Sequence, residues 1–412
     1  MASRVRLLSD KEKIMSITEY FTPTHVYFGK NAEDKTGELI SSLGARKVLV
    51  HFGSGSVKKS GLLDKVENDL RSHNIDYIEL GGVIPNPRVS LVRKGVEIGR
   101  KEGVDFVLSV GGGSVVDSAK AICYGLFDEE KGEVWDFYEG KRSPKGSIPL
   151  GVLLTLSATG SEMSDSSVIT NDEGGIKRGI NTNFCRPVFS LLNPELTYTV
   201  SRYQTSCGTV DIMMHTLERF FHSGSTLALS DKLSLALIKQ VMESGKIALD
   251  SPEDYDARAN LMWAGSLSHN GLMNMGNETR GDWSCHQLEH ELSGKWDVAH
   301  GAGLAAIWAS WARYVYKANP ERFAILGESL FGMERQKDIE AEALDTIERM
   351  EEYFRSVEMP TNLKELGIDA SDADIEELAE KCTFFGKRRI GSFMSLGKDD
   401  MIAIYKTSRS KS

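Results

Sequence analysis

The stretch Phe106-Val107-Leu108-Ser109-Val110-Gly111-Gly112-Gly113-Ser114-Val115-Val116-Asp117-Ser118-Ala119-Lys120 decides how this chain folds. Phe106 to Val110 is apolar enough to be a strand buried on both faces, the mark of a parallel sheet covered by helices. A helix opens directly after the glycines. Three glycines let a ligand come close to the backbone, and the N–H groups of the following helical turn, backed by its dipole, form an anion site suited to a pyrophosphate. A tight turn with one positive φ would need only one glycine. The pattern is neither GxGxxG nor a P-loop, so the cofactor class does not follow from this loop alone.

The same alternation of strand and helix extends upstream. Lys47 to Phe52 reads as a strand entering Gly53-Ser54-Gly55-Ser56, Gly61 to Asn74 as a helix, Ile75 to Leu80 as a strand ending at Gly81-Gly82, and Val89 to Glu102 as a helix after Pro85-Asn86-Pro87. Strands alternating with helices imply βαβ units. After about residue 200 the β-branched runs vanish. Thr226 to Leu249 and Ala257 to Met273 carry apolar residues at helical spacing, and Ala264 to Met273 is apolar enough to predict a central buried helix. The expected organisation is an extension over residues 1–15, an α/β domain over 16–200 and an all-helical domain over 201–412, with the site in the cleft between them.

Composition bounds the function. The 412 residues include 49 Lys and Arg against 59 Asp and Glu, a formal net charge of −10, which argues against a nucleic-acid partner. That length exceeds what one hydrophobic core usually organises. No apolar run approaches the roughly 20 residues that span a bilayer, and Met1 to Met15 lacks an apolar secretion segment, so a cytoplasmic protein without membrane contact is expected. Cys123, Cys185, Cys207, Cys285 and Cys382 contain no CxxC pair, which predicts reduced thiols.

The second chemical signal lies in the helical half. Asp211 and His215 are four apart in a helical segment, His286 and His290 repeat that spacing, and His300 follows in DVAHGAGLAAIW, where Gly301 and Gly303 would allow a close turn. Imidazoles with one carboxylate suit Fe(II) or Zn(II) better than a thiolate site would. Spacing alone leaves open which of His286, His290 and His300 are ligands. His25, His51, His73, His222 and His269 read as structural or exposed, with His269 in the buried helix nearest the site.

GGGSVVDSAK, TLSATGSEMS at 155–164, DIMMH at 211–215 and HQLEHELSGKWDVAHG at 286–301 resemble the iron-containing (group III) alcohol dehydrogenases, in particular the NADP-dependent butanol dehydrogenase and broad-specificity aldehyde reductase branch. The resemblance implies a Rossmann-like domain followed by a helical metal domain, an architecture shared with dehydroquinate synthase. It places the metal on Asp211, His215, His286 and His300 and makes His290 and Asp117 catalytic residues, His290 lining the nicotinamide and substrate pocket. Cofactor contacts fall on Gly111, Gly112, Gly113 and Ser114, on Asp117 beside the nicotinamide, and on Thr155, Thr159, Asn86 and Lys177, the last reaching the nicotinamide ribose. A dimer formed through the N-terminal domain is also implied.

Where NAD-preferring members carry an aspartate at the end of the first strand, this chain has Gly53, followed by Ser54 and Ser56, with Lys58 and Lys59 close behind. Without a carboxylate there, nothing repels a 2′-phosphate, so NADP(H) is favoured over NAD(H). Leu272 to Met275 and Trp283 predict a pocket for a small, weakly polar alcohol or aldehyde. A glycerol dehydrogenase-like polyol oxidation and a dehydroquinate synthase-like lyase, both with polar or anionic substrates, are the alternatives, followed by a non-catalytic metal-binding sensor.

Overall fold

A computed structural model describes residues 17–224 and 227–409; the expected N-terminal extension lies outside the described residues. Among the described residues eight strands occur, all in the first half: β1 (His25–Phe28), β2 (Lys47–Gly53), β3 (Asp76–Val83), β4 (Phe106–Gly111), β5 (Leu150–Leu154), β6 (Ser166–Asn171), β7 (Ile176–Asn181) and β8 (Phe189–Leu192). Six form a sheet in the order β1-β8-β5-β4-β2-β3, with every neighbouring pair parallel. β4 lies inside the sheet and is buried along its whole length. Alternate residues serve opposite faces: Phe106, Leu108 and Val110 join Leu63, Val66 and Leu70 of the Leu62–Ser72 helix, whereas Val107 joins Val92 and Val96 of the Val89–Glu102 helix. The period-two geometry of a strand therefore turns one apolar run into two cores.

Two expectations about strands change. β3 runs through Gly81 to Val83 instead of ending at the glycines, because the Phe52 ring lies over Gly81, where an added Cβ would sit 2.4 Å from Phe52 Cε2. Besides the parallel sheet there is an antiparallel hairpin, β6–β7, whose turn carries positive φ at Gly174 and Gly175.

The helical half begins with Arg202–Phe220, buried continuously from Thr205 onward. Its core includes Trp308 and Trp311 of the His300–Val315 helix. The helix expected to continue to Met273 ends at His269, where Gly271 at φ 100° turns the chain into a short 3-10 segment, Leu272–Asn274. Gly301 and Gly303 lie inside the His300–Val315 helix and form no turn. They thin the helix instead: a Cβ at Gly301 would lie 2.0 Å from the Cys207 carbonyl oxygen.

The halves meet backbone to backbone at three places. A Cβ added at Gly175 would lie 2.2 Å from the Gly294 carbonyl oxygen, one at Gly208 2.2 Å from that of Ser157, and one at Gly160 2.4 Å from that of Gly265. The hairpin is thereby docked on the Ser284–Trp296 helix, where Arg178 also pairs with Glu291 at 2.9 Å.

His51, a polar residue in the centre of β2, is satisfied by the Leu80 carbonyl oxygen and the Ser118 hydroxyl, each at 2.8 Å. Burial pushes its pKa down to about 4. Above pH 6.5 the ring is neutral whether folded or unfolded, and no stability depends on it. As pH falls from 6.5 toward 4 the unfolded chain takes up a proton that the folded chain refuses, costing about 3 kcal/mol at the lower end. His51→Gln is expected to flatten this part of the stability profile, measured by denaturant unfolding at pH 7.5 and pH 5. A slope unchanged from the wild type would remove His51 as its source.

Candidate active site

A cleft of about 610 Å3 lies between the halves. On the sheet side β4 leads through Gly112 into the Gly113–Phe127 helix, whose N-terminus faces the cleft with Gly112, Gly113 and Ser114 in its wall. None of Gly111, Gly112 and Gly113 has positive φ, so backbone conformation is not the reason for the glycines. Space is the reason: a Cβ at Gly113 would lie 2.3 Å from Thr159 Oγ1, and one at Gly112 3.0 Å from Leu156 Cβ. Gly111 ends β4 against Val115 and does not line the cleft.

Asp117, Thr155 and Thr159 are in the same wall. The Asp117 carboxylate accepts hydrogen bonds from Ser161 Oγ at 2.5 Å and the Val168 N–H at 3.1 Å. Burial pushes its pKa up, against the pull of the Lys120 ammonium. Lys120, itself fully buried, donates to the Ser164 and Ser166 carbonyl oxygens at 2.9 and 2.7 Å, so this helix organises the loop opposite it. Farther along the cleft are Gly53, Ser54 and Ser56. Lys58 is paired with Glu79 at 3.0 Å and stacks on Phe52, so its charge is already partnered.

On the other side, one helix supplies Asp211 and His215, a second supplies His286 and His290, and His300 is the first residue of a third. The Nε2 atoms of His286 and His300 lie 3.9 and 3.7 Å from Asp211 Oδ1. Ligand atoms of these three residues all lie within 4.8 Å of one another. His215 stands beside them, its ring centre 4.5 Å from that of His286 and its Nδ1 held 2.9 Å from the Asp211 carbonyl oxygen. Burial raises the Asp211 carboxyl, but His215 and His300 outweigh it and hold the group below the usual carboxylate range.

His286 Nε2 is buried with no hydrogen-bond partner, and Asp211 Oδ1, buried beside it, has only the His215 Nδ1 contact at 3.1 Å, outside hydrogen-bond geometry. Buried polar atoms this poorly satisfied and this close together are costly unless something binds between them. A divalent cation among neutral imidazoles and one carboxylate satisfies both. A second group, Glu289, His290 and His300, also converges. Its carboxylate, however, is already engaged by Ser293, His300 and Lys177. His290 lines the cleft with its ring centre 5.8 Å from that of His300, and burial depresses its pKa well below the histidine value.

One placement differs from expectation, and two of the expected cleft residues carry further bonds. Lys177 is in the cleft wall but donates to Asn86 Oδ1 at 3.0 Å and approaches Glu289 Oε2 at 3.4 Å. Asn86 also lines the cleft, at φ 54°, yet its amide nitrogen is directed to Asp297 Oδ1 at 2.9 Å and the Val298 carbonyl oxygen at 3.2 Å. Leu272 to Met275 do not line the cleft, whose apolar lining comes instead from Val57, Leu62, Ile84, Val115, Leu156 and Val200, whereas Trp283 packs behind it against the rings of His286, His269 and His215 at 5.2, 5.7 and 6.1 Å.

Sequence reading also passes over three residues. His269 lines the cleft with its ring centre 4.2 Å from that of His215 and its Nδ1 2.8 Å from the Thr159 carbonyl oxygen. No spacing rule links it to the other histidines. Glu218 accepts from both the backbone N–H and the Nδ1–H of His286, at 2.9 and 3.0 Å, and its place seven residues after Asp211 on one helical face was a readable signal. Glu289 stands three after His286, equally within reach of the helical rule.

A parallel-sheet cleft floored by a glycine turn and facing a buried carboxylate–imidazole cluster suits an enzyme that holds a nucleotide on one side and a metal ion on the other. Residues 23–194 match the family iron-containing alcohol dehydrogenase, and residues 205–409 match its Fe-containing C-terminal counterpart. The chain is 39% identical to NADH-dependent butanol dehydrogenase A of Clostridium acetobutylicum over 391 residues, covering 95% of this chain and 99% of that one. It is 34% identical to the NADPH-dependent aldehyde reductase YqhD of Escherichia coli, over 94% of this chain and 98% of that one. The crystal structure of NADH-dependent butanol dehydrogenase A from Thermotoga maritima superposes with a TM-score of 0.92 at 36% identity, covering 96% of this chain and 99% of that one.

The chain belongs to the iron-containing alcohol dehydrogenase family. It is an alcohol dehydrogenase-type oxidoreductase, and membership implies a nucleotide cofactor and iron. Among the described residues no helix is long and apolar enough to cross a membrane.

Proposed function

We propose that this enzyme transfers a hydride between NADP(H) and a short-chain primary alcohol or its aldehyde, with Fe(II) or Zn(II) held by Asp211, His215, His286 and His300. The observation that carries the reading is the convergence of Asp211, His286 and His300 ligand atoms within 4.8 Å of one another, with His286 Nε2 buried and without a hydrogen-bond partner, beside a cleft that ends at a glycine-floored helix N-terminus. When bound, the ion supplies Lewis acidity toward the substrate oxygen, and the dinucleotide supplies the hydride carrier. The protein supplies position and proton handling. Gly112, Gly113 and Ser114 present backbone donors to the pyrophosphate, and Asp117, Thr155 and Thr159 form the trough that aims the nicotinamide. His290, neutral at pH 7 and facing the cleft, orients the substrate and passes its proton toward solvent.

The cleft favours a weakly polar substrate. Lys177, the lysine in the wall nearest the histidines, is committed to Asn86 and Glu289, which disfavours the anionic or polyol substrates of the alternative readings. Residues 16–200 are assigned to cofactor binding and 201–412 to the metal and substrate. A cytoplasmic homodimer completes the proposal; the five cysteines are all buried free thiols, in keeping with a reducing compartment.

The direct test is the loss of reduced-nicotinamide absorbance when metal-loaded protein is mixed with butanal and either NADPH or NADH. No turnover of any short aldehyde would overturn the reading. Cofactor preference has its own variant. A Cβ at Gly53 would meet nothing nearer than the Val83 carbonyl oxygen at 3.5 Å, so Asp fits there without steric strain. Gly53→Asp is expected to lower kcat/KM for NADPH roughly tenfold relative to NADH, by setting a carboxylate against the 2′-phosphate. An unchanged ratio would detach Gly53 from cofactor choice.

A further inference from the structure

Glu289 has no part in the proposed ligand set, yet its side chain is fully buried beside that set. The chain makes room for it: a Cβ at Gly303, one turn into the next helix, would lie 2.8 Å from both Glu289 Cγ and Oε1. One carboxylate oxygen accepts from the Ser293 hydroxyl, and the other from His300 Nδ1. Lys177 reaches that second oxygen from β7, in the opposite half of the molecule, at 3.4 Å. A carboxylate is rarely buried unless it is paired in this way.

We propose that Glu289 is the positioning residue for His300: it holds Nδ1 so that Nε2 faces Asp211 and the ion. The inference rests on the reading of His300 as a ligand. An imidazole that donates Nδ1–H to a carboxylate has its tautomer and ring orientation fixed, and its Nε2 lone pair becomes a stronger donor to a metal. His300 needs this more than its neighbours do. It opens a helix at the cleft edge, and its side chain is 21% exposed, against 4% and 5% for His215 and His286. His286 already has Glu218 in the corresponding place, and His215 has the Asp211 carbonyl oxygen. Glu289 differs from both in being held by a residue of the cofactor half, so the last ligand of the cluster is oriented by contacts across the cleft.

The test is metal affinity, read without turnover. Metal-free full-length protein is titrated with Zn(II) against a competing chelator and with Co(II) by its visible absorption. Glu289→Ala is expected to weaken Zn(II) binding about 10- to 100-fold and to change the Co(II) spectrum. Glu289→Gln keeps an acceptor of the same shape without the charge, and is expected to lose only a few-fold while remaining folded, so it reports the effect even where the alanine variant does not fold. Wild-type affinity and an unchanged Co(II) spectrum in Glu289→Gln, or a loss in Glu289→Ala as complete as in His286→Ala, would overturn the proposal, the latter by making Glu289 a ligand. Failure of the wild type to bind either ion, or full binding by His286→Ala, would instead overturn the ligand assignment itself.

Discussion

His286→Ala is expected to yield protein that binds NADPH but holds no stoichiometric metal and is slower than the wild type by about a thousandfold or more, the scale set by losing the main electrostatic stabilisation of the reacting oxygen. The size of the effect follows from where the residue lies. His286 Nε2 is buried, without a hydrogen-bond partner and 3.9 Å from Asp211 Oδ1, and its other nitrogen is already fixed by Glu218. His290→Ala provides the contrast. Its side chain faces the cleft, not the Asp211–His286 pair, so metal content is expected to be retained while turnover slows roughly a hundredfold, the usual contribution of a proton-handling side chain. Metal analysis of anaerobically prepared protein, together with NADPH titration, separates the two variants. Metal loss in His290→Ala, or full metal content in His286→Ala, would exchange their roles.

Gly113→Ala is the second large effect. The added methyl would lie 2.3 Å from Thr159 Oγ1 and point into the wall where the pyrophosphate is proposed to sit. Thr159 cannot retreat freely. Its hydroxyl accepts the Ser161 N–H at 3.1 Å, and its carbonyl oxygen holds His269 at 2.8 Å. Affinity for the reduced dinucleotide is expected to fall about a hundredfold, with an overpacking cost of about 1–3 kcal/mol in stability, and with metal content unchanged. Fluorescence titration with NADPH and a thermal melt measure both. Dinucleotide affinity equal to that of the wild type would remove the glycine turn from the phosphate site.

Much of this was legible in the sequence because its signals are local. The Val89–Glu102 helix, set between a Pro-Asn-Pro turn and Gly103 at φ 71°, has the extent that its periodicity predicts, and β4 lies inside the sheet as a run apolar on both faces requires. The i, i+4 spacing also puts Asp211 and His215 together on one helical face, because helical spacing is itself a statement about direction, whereas the approach of His286 from a second helix is a tertiary contact. What was not legible depends on distant partners. The hairpin β6–β7 has polar residues on both strands and is stabilised by what it docks against, so no apolar alternation announces it. His269 reaches the cleft from the last residue of its helix and meets His215 and Thr159 of other elements. The commitment of Lys177 and Asn86 to Glu289 and Asp297 spans 112 and 211 residues, and no short-range rule anticipates it.

The three carbonyl contacts across the cleft, at Gly175, Gly208 and Gly160, bear on reaction distance. Hydride transfer needs the donor and acceptor carbons about 3–3.5 Å apart, and misplacement by 1 Å costs orders of magnitude. On the proposed assignment, one carbon is positioned by the sheet half and the other by the helical half. Where two bodies meet through interdigitating side chains, their separation varies with every rotamer change. At these three contacts they meet main chain on main chain, with no room for even a methyl group, so side-chain rotamers there cannot widen or narrow the gap. The glycines at these contacts act as gauge blocks: their function is measured in what they leave out, and a single added carbon at any of the three would reset the spacing of the whole reaction.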